Sequence, residues 1–206
     1  MVVGAFVLLA AAAQLVNAHF GIEYPKWRAD TLSSSTNFSQ WDYPCAGAPT
    51  LPDNERTPWP LTGGSVKLDL HHKWTYVFIN LGLGENVTNF NYTLTPGLWN
   101  STGNGTLCVQ QLTLPTNLPI VDGSKASLQF VTSGDSGSAL YNCADIVFKA
   151  NATTLSSSEC VTDAGVKVAP VVAAQQKSGA STAGLNKAML SSAAGLAVVF
   201  AFGLSL

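Results

Sequence analysis

The middle of the chain is built from short runs in which hydrophobic and polar residues alternate. Val66, Leu68 and Leu70 lie between polar neighbours, which is the period of two expected of a strand with one buried face. Four further runs of strand length are rich in aromatic, β-branched or aliphatic residues, at residues 74–81, 107–114, 126–132 and 139–148. The pattern predicts strands throughout, and no window between residues 19 and 150 has the periodicity of a helix.

Turn residues separate the predicted strands. They are the pairs Gly63-Gly64, Pro96-Gly97, Asp122-Gly123 and Gly134-Asp135. Short strands with regular turns indicate a sandwich or a barrel, and the chain length favours an all-β, immunoglobulin-like antiparallel β-sandwich with long loops. Residues 38–60, dense in Pro and Trp, are predicted to form an irregular loop fixed by Cys45. Residues 161–180, rich in Ser, Ala, Val and Gln, are predicted to form a disordered stalk.

An apolar segment begins the chain and has the features of a secretory signal peptide. Residues 2–13 are apolar, and Val16 and Ala18 occupy the −3 and −1 positions of a cleavage site before His19. A buried helix or a membrane anchor is the alternative, but about a dozen apolar residues are too few to span a bilayer. We therefore expect residues 1–18 to be removed, which makes His19 the N-terminal residue of the mature protein.

A second apolar segment, residues 188–206, has no Lys or Arg after it and follows a stretch of small and polar residues. This order is typical of a GPI-anchor signal, whereas a single-pass helix usually carries positive charge on its cytoplasmic side. We expect attachment near residues 178–181 and removal of residues 181–206. The expected mature protein is a domain of residues 19–160 on a stalk of residues 161–180. It would be held at the cell surface, in the outer leaflet of the plasma membrane or in the cell wall.

Charged residues are sparse and nearly balanced, with 10 Lys and Arg against 12 Asp and Glu and a formal net charge of −2. No basic run indicates nucleic acid or an acidic membrane surface as a partner. The composition is that of an ordinary extracellular domain, which we expect to be a monomer.

Cysteines and glycosylation sequons fit a secreted protein. An even number of cysteines in an oxidising compartment predicts two disulfides, with three possible connectivities among Cys45, Cys108, Cys143 and Cys160. A CxxC zinc site is excluded, because the nearest two cysteines are 17 positions apart. Six N-glycosylation sequons begin at Asn37, Asn86, Asn91, Asn100, Asn104 and Asn151.

The chain has only three histidines, and the first would become the mature N-terminus. A terminal His19 offers its α-amine and its ring nitrogen together, with ordinary pKa values of about 8 and about 6.5, so a metal can displace both protons at neutral pH. An imidazole from His71 or His72 would add a third nitrogen. Three nitrogens in one plane suit a single Cu(II) ion better than zinc. Alternatively, the histidine at the N-terminus has no role in metal binding, and His71 and His72 are solvated residues at the end of a strand.

One short string resembles a protease motif, but a turn is the simpler interpretation of it. Residues 134–137, Gly-Asp-Ser-Gly, are also found at the active site of trypsin-like proteases, which need a histidine and a buried aspartate in addition. The context of His71 and His72 does not match those enzymes. We predict a turn between two strands, and no catalytic residues.

Five strings, in this order, resemble those of the fungal copper acquisition factor family, GPI-anchored proteins related to lytic polysaccharide monooxygenases. They are His19-Phe20-Gly21-Ile22-Glu23-Tyr24-Pro25, Pro44-Cys45-Ala46-Gly47, Trp59-Pro60-Leu61-Thr62-Gly63-Gly64, His71-His72, and Leu140-Tyr141-Asn142-Cys143-Ala144-Asp145-Ile146. The resemblance implies that copper is held by His19, a second histidine and Asp145. We prefer His72 to His71 as the second histidine, because it lies nearer the turn into the next strand.

The resemblance also implies a function. A non-enzymatic protein would capture copper at the cell surface for uptake by a membrane importer, and a coordinating carboxylate would favour Cu(II) over the Cu(I) needed to react with oxygen. The first alternative is a copper monooxygenase acting on polysaccharide. The second is a structural cell-wall glycoprotein whose histidines are incidental.

Overall fold

Strands are the framework of the computed structural model, which describes residues 19–134 and 137–171. Over those residues the chain forms ten strands, one 3-10 turn at Asp53–Glu55 and no α-helix. The strands are β1 (Phe20–Tyr24), β2 (Thr57–Pro60), β3 (Val66–Leu70), β4 (Trp74–Leu83), β5 (Tyr92–Thr93), β6 (Trp99–Thr102), β7 (Gly105–Val109), β8 (Lys125–Ser133), β9 (Ala139–Lys149) and β10 (Lys167–Pro170).

The strands form two sheets, and this confirms the predicted all-β sandwich. The smaller sheet has the order β1-β3-β7, and the larger one the order β10-β6-β4-β8-β9-β2, with β5 added to β4. Pairing is antiparallel except between β2 and β9, which are parallel. The sandwich is therefore mixed at this edge rather than wholly antiparallel.

Alternation along the strands puts one face of each sheet into a common core. In β3 the three hydrophobic residues are buried and the two polar residues between them are partly exposed. The larger sheet contributes equally buried residues such as Ile79, Leu128 and Phe130 to the same cluster. Each large side chain buried in this way stabilises the fold by about 1.5–3 kcal/mol. All of the described residues fall in one compact unit.

The two predicted disulfides are present, and the structure resolves their pairing. Cys45 is bonded to Cys143 and Cys108 to Cys160. The first bond fixes the long loop over residues 38–60 to β9, as expected of Cys45, although the end of that loop is strand β2.

The prediction of disorder from residue 161 onward is wrong for residues 161–171. Thr162 bonds through its hydroxyl to both backbone groups of Cys108, at 2.9 and 3.1 Å, and Val166 is buried in the core. β10 then pairs with β6. The domain thus extends past Cys160 because the second disulfide brings the following residues to the sheet edge.

The predicted signal peptide (residues 1–18), the rest of the stalk (172–180) and the GPI signal (181–206) lie outside the described residues. Within the described part of the chain, no helix is long and apolar enough to cross a membrane.

Candidate metal centre

The site predicted from the sequence lies where β1 begins. β1 pairs with β3 in antiparallel register, with Phe20 opposite Leu70 and Gly21 opposite Asp69. Continuing this register by one residue sets His19 beside His71. The two histidines line one open cavity of about 420 Å³, together with residues 31–34.

The two adjacent histidines have different surroundings. His71 is exposed, and its Nε2 lies 2.8 Å from a carboxylate oxygen of Asp69. His72 is buried, and its Nε2 has no hydrogen-bond partner among the described residues. Its ring packs against the backbone of Gly134, since a Cβ at that glycine would lie 3.3 Å from both Cγ and Nδ1 of the ring. His71 therefore has a polar partner, whereas His72 offers a nitrogen without one.

The environment of His19 favours its neutral, metal-binding form. Partial burial lowers the pKa of the His19 imidazole below its ordinary value of 6.5, because burial penalises the charged ring. The nearby charges of His71 and His72 lower this pKa further, His71 having the larger effect. A ring that is neutral at neutral pH does not have to lose a proton before it can bind a metal.

The structure does not place Asp145 with the histidines. Its side chain has no solvent exposure and forms a two-point ion pair with Arg28, at 2.9 Å to each carboxylate oxygen. The Ser127 hydroxyl and the Leu51 N–H also donate to it, at 2.5 and 2.8 Å. Asn142, three residues before Asp145 on β9, contacts the residue after His19, so Asp145 lies about 10 Å further along the strand. In this structure Asp145 is a buried carboxylate bonded to Arg28, Ser127 and Leu51, and the ligand role that the resemblance implied for it stays a prediction.

No three His, Cys, Asp or Glu side chains over residues 19–134 and 137–171 are arranged to hold a metal together. A site made of an N-terminal amine and two imidazoles needs only two side chains. His19 at the start of β1 and a histidine after β3 would supply such a site, which needs no protein carboxylate.

A set of polar residues that sequence reasoning missed surrounds the residue after His19. Gln40, Asn142 and Thr31 are all buried; Gln40 and Asn142 bond to Phe20, and Thr31 bonds to both of them. Gln40 and Thr31 lie in loops without periodicity, so their burial leaves no pattern in the sequence. The only sequence indication is Asn142, a polar residue within an otherwise hydrophobic strand.

Two other groups of predicted residues also have defined positions. Asn100 lies within β6 and is partly buried, whereas the other sequon residues are exposed, namely Asn37, Asn86, Asn91, Asn104 and Asn151. At the ends of the Gly-Asp-Ser-Gly string, the Gly137 N–H donates to the Gly134 carbonyl at 2.9 Å, the hydrogen bond that the predicted turn requires. Asp135 and Ser136 lie outside the described residues.

The fold and this cluster define a class: a disulfide-bonded β-sandwich with two histidine-bearing segments meeting where the first strand begins. The chain belongs to the family described as copper acquisition factor BIM1-like, whose match covers residues 17–165. The expected family is thereby confirmed. Membership implies a copper-related function, with copper as the ligand.

Relatives of known name are 27% to 35% identical to this chain over the aligned residues. The lytic polysaccharide monooxygenase-like protein X325 of Aspergillus fumigatus is 32% identical over 173 residues, which covers 70% of this chain and 72% of the relative. A protein of the same name from Hypocrea jecorina is 35% identical over 159 residues, with 69% and 68% covered. The copper acquisition factor BIM1 of Cryptococcus neoformans var. grubii is 27% identical over 162 residues, with 71% and 67% covered.

Proposed function

We propose that this protein captures Cu(II) at the cell surface through the His19 amine, the His19 ring and the His72 ring, and presents the ion for uptake. The observation that carries the proposal is the buried, unpartnered Nε2 of His72, which directly follows the His71 that the strand register sets beside His19. An unpaired buried polar atom costs about 1–3 kcal/mol, and a metal bound to it would remove that cost.

The donor set suits copper. Amine and imidazole nitrogens are ligands that Cu(II) prefers in a planar arrangement, and Cu(II) leads the divalent ions in affinity for such sites. His71 is the weaker candidate, because its ring is already paired with Asp69. Asp145 is left out, because Arg28, Ser127 and Leu51 occupy its oxygens.

The proposal depends on processing. Cleavage before His19 would free the amine, and a GPI anchor near residues 178–181 would hold the domain at the membrane, where an importer could accept the ion. Exposed sequons at several points of the domain are compatible with a glycosylated surface protein. The copper is cargo in this proposal, and one ion binds per monomer.

The test is a Cu(II) titration of secreted protein against a competing chelator, with the N-terminus verified by mass spectrometry and electron paramagnetic resonance (EPR) spectra of the complex. We expect tight one-to-one binding and a nitrogen-rich spectrum. Keeping Ala18 as one extra residue should abolish tight binding, because it converts the amine into an amide. H72A should weaken binding by roughly 100-fold or more, beyond the usual effect of losing an outer partner of a metal ligand.

H71A is the matched control, since it removes the neighbouring imidazole. It should keep the EPR spectrum and change the affinity only a few-fold. Equally tight binding with and without Ala18 would refute the N-terminal site. If H71A loses binding and H72A retains it, the second imidazole ligand is His71 and not His72. Absence of tight binding in the mature protein would favour the structural cell-wall alternative. Unchanged copper uptake by a deletion strain under copper limitation would refute capture for import.

Exposed aromatic residues give a second candidate, a copper monooxygenase acting on polysaccharide. Trp41 and Tyr43 are 49% and 65% exposed, and they lie just beyond Gln40, which contacts β1. Sugar rings pack well on exposed aromatic faces. The copper-loaded protein, given a reductant and peroxide, would release oxidised oligosaccharides from a suitable glycan. Their absence across a broad panel of polysaccharides would exclude this candidate.

A further inference from the structure

We propose that Gln40, supported by Thr31 and Asn142, is a positioning residue that holds the N-terminal histidine in its copper-binding arrangement. The inference rests on the proposed function, because it concerns how the same site is kept in place. Gln40 Oε1 accepts from the Phe20 N–H at 3.2 Å, and Gln40 Nε2 donates to the Phe20 carbonyl at 2.8 Å. One side-chain amide thus binds both backbone polar groups of the residue that follows His19.

The geometry of an edge strand explains why this clamp is needed. β1 has β3 on one side only, so its other side has no strand to pair with. The N–H and C=O of one strand residue point to the same side, and those of Phe20 point away from β3 toward Gln40 and Asn142. The Gln40 amide offers one acceptor and two donors, so it can replace the missing strand at this residue.

Gln40 is itself held from several directions. Its second amide hydrogen goes to the Thr31 hydroxyl at 2.7 Å, and Thr31 donates to Asn142 Oδ1 at 3.0 Å. Asn142 Nδ2 closes the network by donating to the Phe20 carbonyl at 3.1 Å. The Gln40 carbonyl accepts from the Tyr141 N–H on β9, at 2.7 Å.

Burial makes the network specific. Gln40 and Asn142 are 1% and 2% exposed, so water cannot take the place of a lost partner. The network therefore ties β1 to β9 one residue away from the proposed metal ligand. A chain terminus ordinarily frays, and His19 would be a terminus once the leader is removed.

The consequence is a gain in apparent copper affinity through preorganisation. If only a fraction of molecules holds His19 beside His72, the apparent dissociation constant rises by the inverse of that fraction. Losing an outer partner of a metal ligand typically costs about 10–100-fold in affinity. We expect a loss of about tenfold when the Gln40 clamp is removed, together with a broader EPR spectrum that reflects several ligand arrangements.

The experiment compares Q40M with Q129M in mature, secreted protein whose N-terminus has been verified. Both changes replace a buried glutamine by an apolar side chain of similar size, but Gln129 donates to the Pro44 carbonyl and not to Phe20. Affinity for Cu(II), the EPR spectrum and the melting temperature are measured for each. Q40M should bind about tenfold more weakly with an altered spectrum, whereas Q129M should keep the parent affinity and spectrum even if it melts lower.

The outcomes separate this inference from the proposed function. If the parent protein fails to bind Cu(II) tightly, the proposed function fails and the inference fails with it. If the parent binds tightly and Q40M matches its affinity and spectrum, the clamp is merely structural and only the inference is overturned. Should Q40M not fold, T31V decides, because it removes one hydroxyl from the network at constant volume. A weaker affinity with a broadened spectrum in T31V would support the inference, and a parent-like T31V would overturn it.

Discussion

Replacing Asp145 by Asn separates a structural carboxylate from a copper ligand. The change keeps the shape of the side chain but removes its charge, which leaves the Arg28 guanidinium buried without a counter-ion; the side chains of Arg28 and Asp145 are 5% and 0% exposed. Arg56 lies 3.9 Å from the same carboxylate and is also buried, so a second cation loses one of its two carboxylate neighbours and keeps only the exposed Asp53, at 3.4 Å.

The contacts of Asp145 determine how much stability D145N should lose. Two charge-assisted hydrogen bonds join Arg28 to Asp145, and such bonds contribute about 1.5–3 kcal/mol each. Removing one partner of a buried ion pair costs about 3–5 kcal/mol in comparable cases. We therefore expect D145N to lower the free energy of unfolding by about 4 kcal/mol, equivalent to a fall of about 10 °C in melting temperature for a domain of this size.

The assay has two readouts, thermal unfolding and Cu(II) affinity measured well below the lower melting point. D145N should melt far below the parent yet bind Cu(II) with the parent affinity and EPR spectrum. E55Q is the control, because Glu55 is an exposed carboxylate paired with the exposed Lys26, so this variant should melt close to the parent. A D145N protein that melts normally but loses copper affinity would refute this reasoning and restore Asp145 as a ligand.

Two further predictions follow from the disulfides and from the pKa of His19. The double variant C108S/C160S opens a loop spanning 52 positions and should lose about 4 kcal/mol of stability in the chain-entropy model. Proteolysis near residues 161–171 should increase. An unchanged proteolytic pattern would contradict the packing described for that segment. Folding lowers the pKa of His19, so the unfolded chain binds more protons than the folded one as the pH falls through 6.5. The free energy of unfolding should therefore decrease from pH 7.5 to pH 5.5. Urea unfolding of the parent and H19A at both pH values checks this, since the pH dependence should be shallower in H19A and an equal dependence would show that other groups cause it.

The strands that could be predicted are those with one buried face. Alternation or apolar density located β3, β4, β8 and β9 to within a few residues. The run at 107–114 predicts a single strand, but β7 ends at Val109. Leu112 beyond it is as buried as Leu107 and instead donates its N–H to Gly64. Hydrophobicity shows that a residue is buried, but it does not show whether the backbone pairs as a strand.

The sequence does not predict β2 and β10, because neither strand alternates between buried and exposed residues. β2 contains two prolines, which are tolerated because β2 forms the edge of its sheet, where a missing N–H costs little. β10 is exposed along its whole length and is held by backbone pairing to β6, so nothing in its side chains marks it as a strand. The role of Asp145 was equally hidden, because its partner Arg28 is 117 positions away in the sequence.

One stretch of β9 joins the N-terminal segment to the larger sheet, and the Asp145 carboxylate is part of that attachment. Asn142 bonds to Phe20 and Thr31, and Cys143 is bonded to Cys45. Ala144 pairs with Trp27 as an isolated bridge, and Asp145 holds Arg28 and the backbone of Leu51. Four consecutive residues therefore anchor the N-terminal segment and its following loop to the sheet. Substitution of Asn142, the end of the stretch nearest His19, should affect the copper site, whereas substitution of Asp145, the far end, should affect the stability of the fold. Copper affinity and melting temperature should therefore vary independently along these four positions.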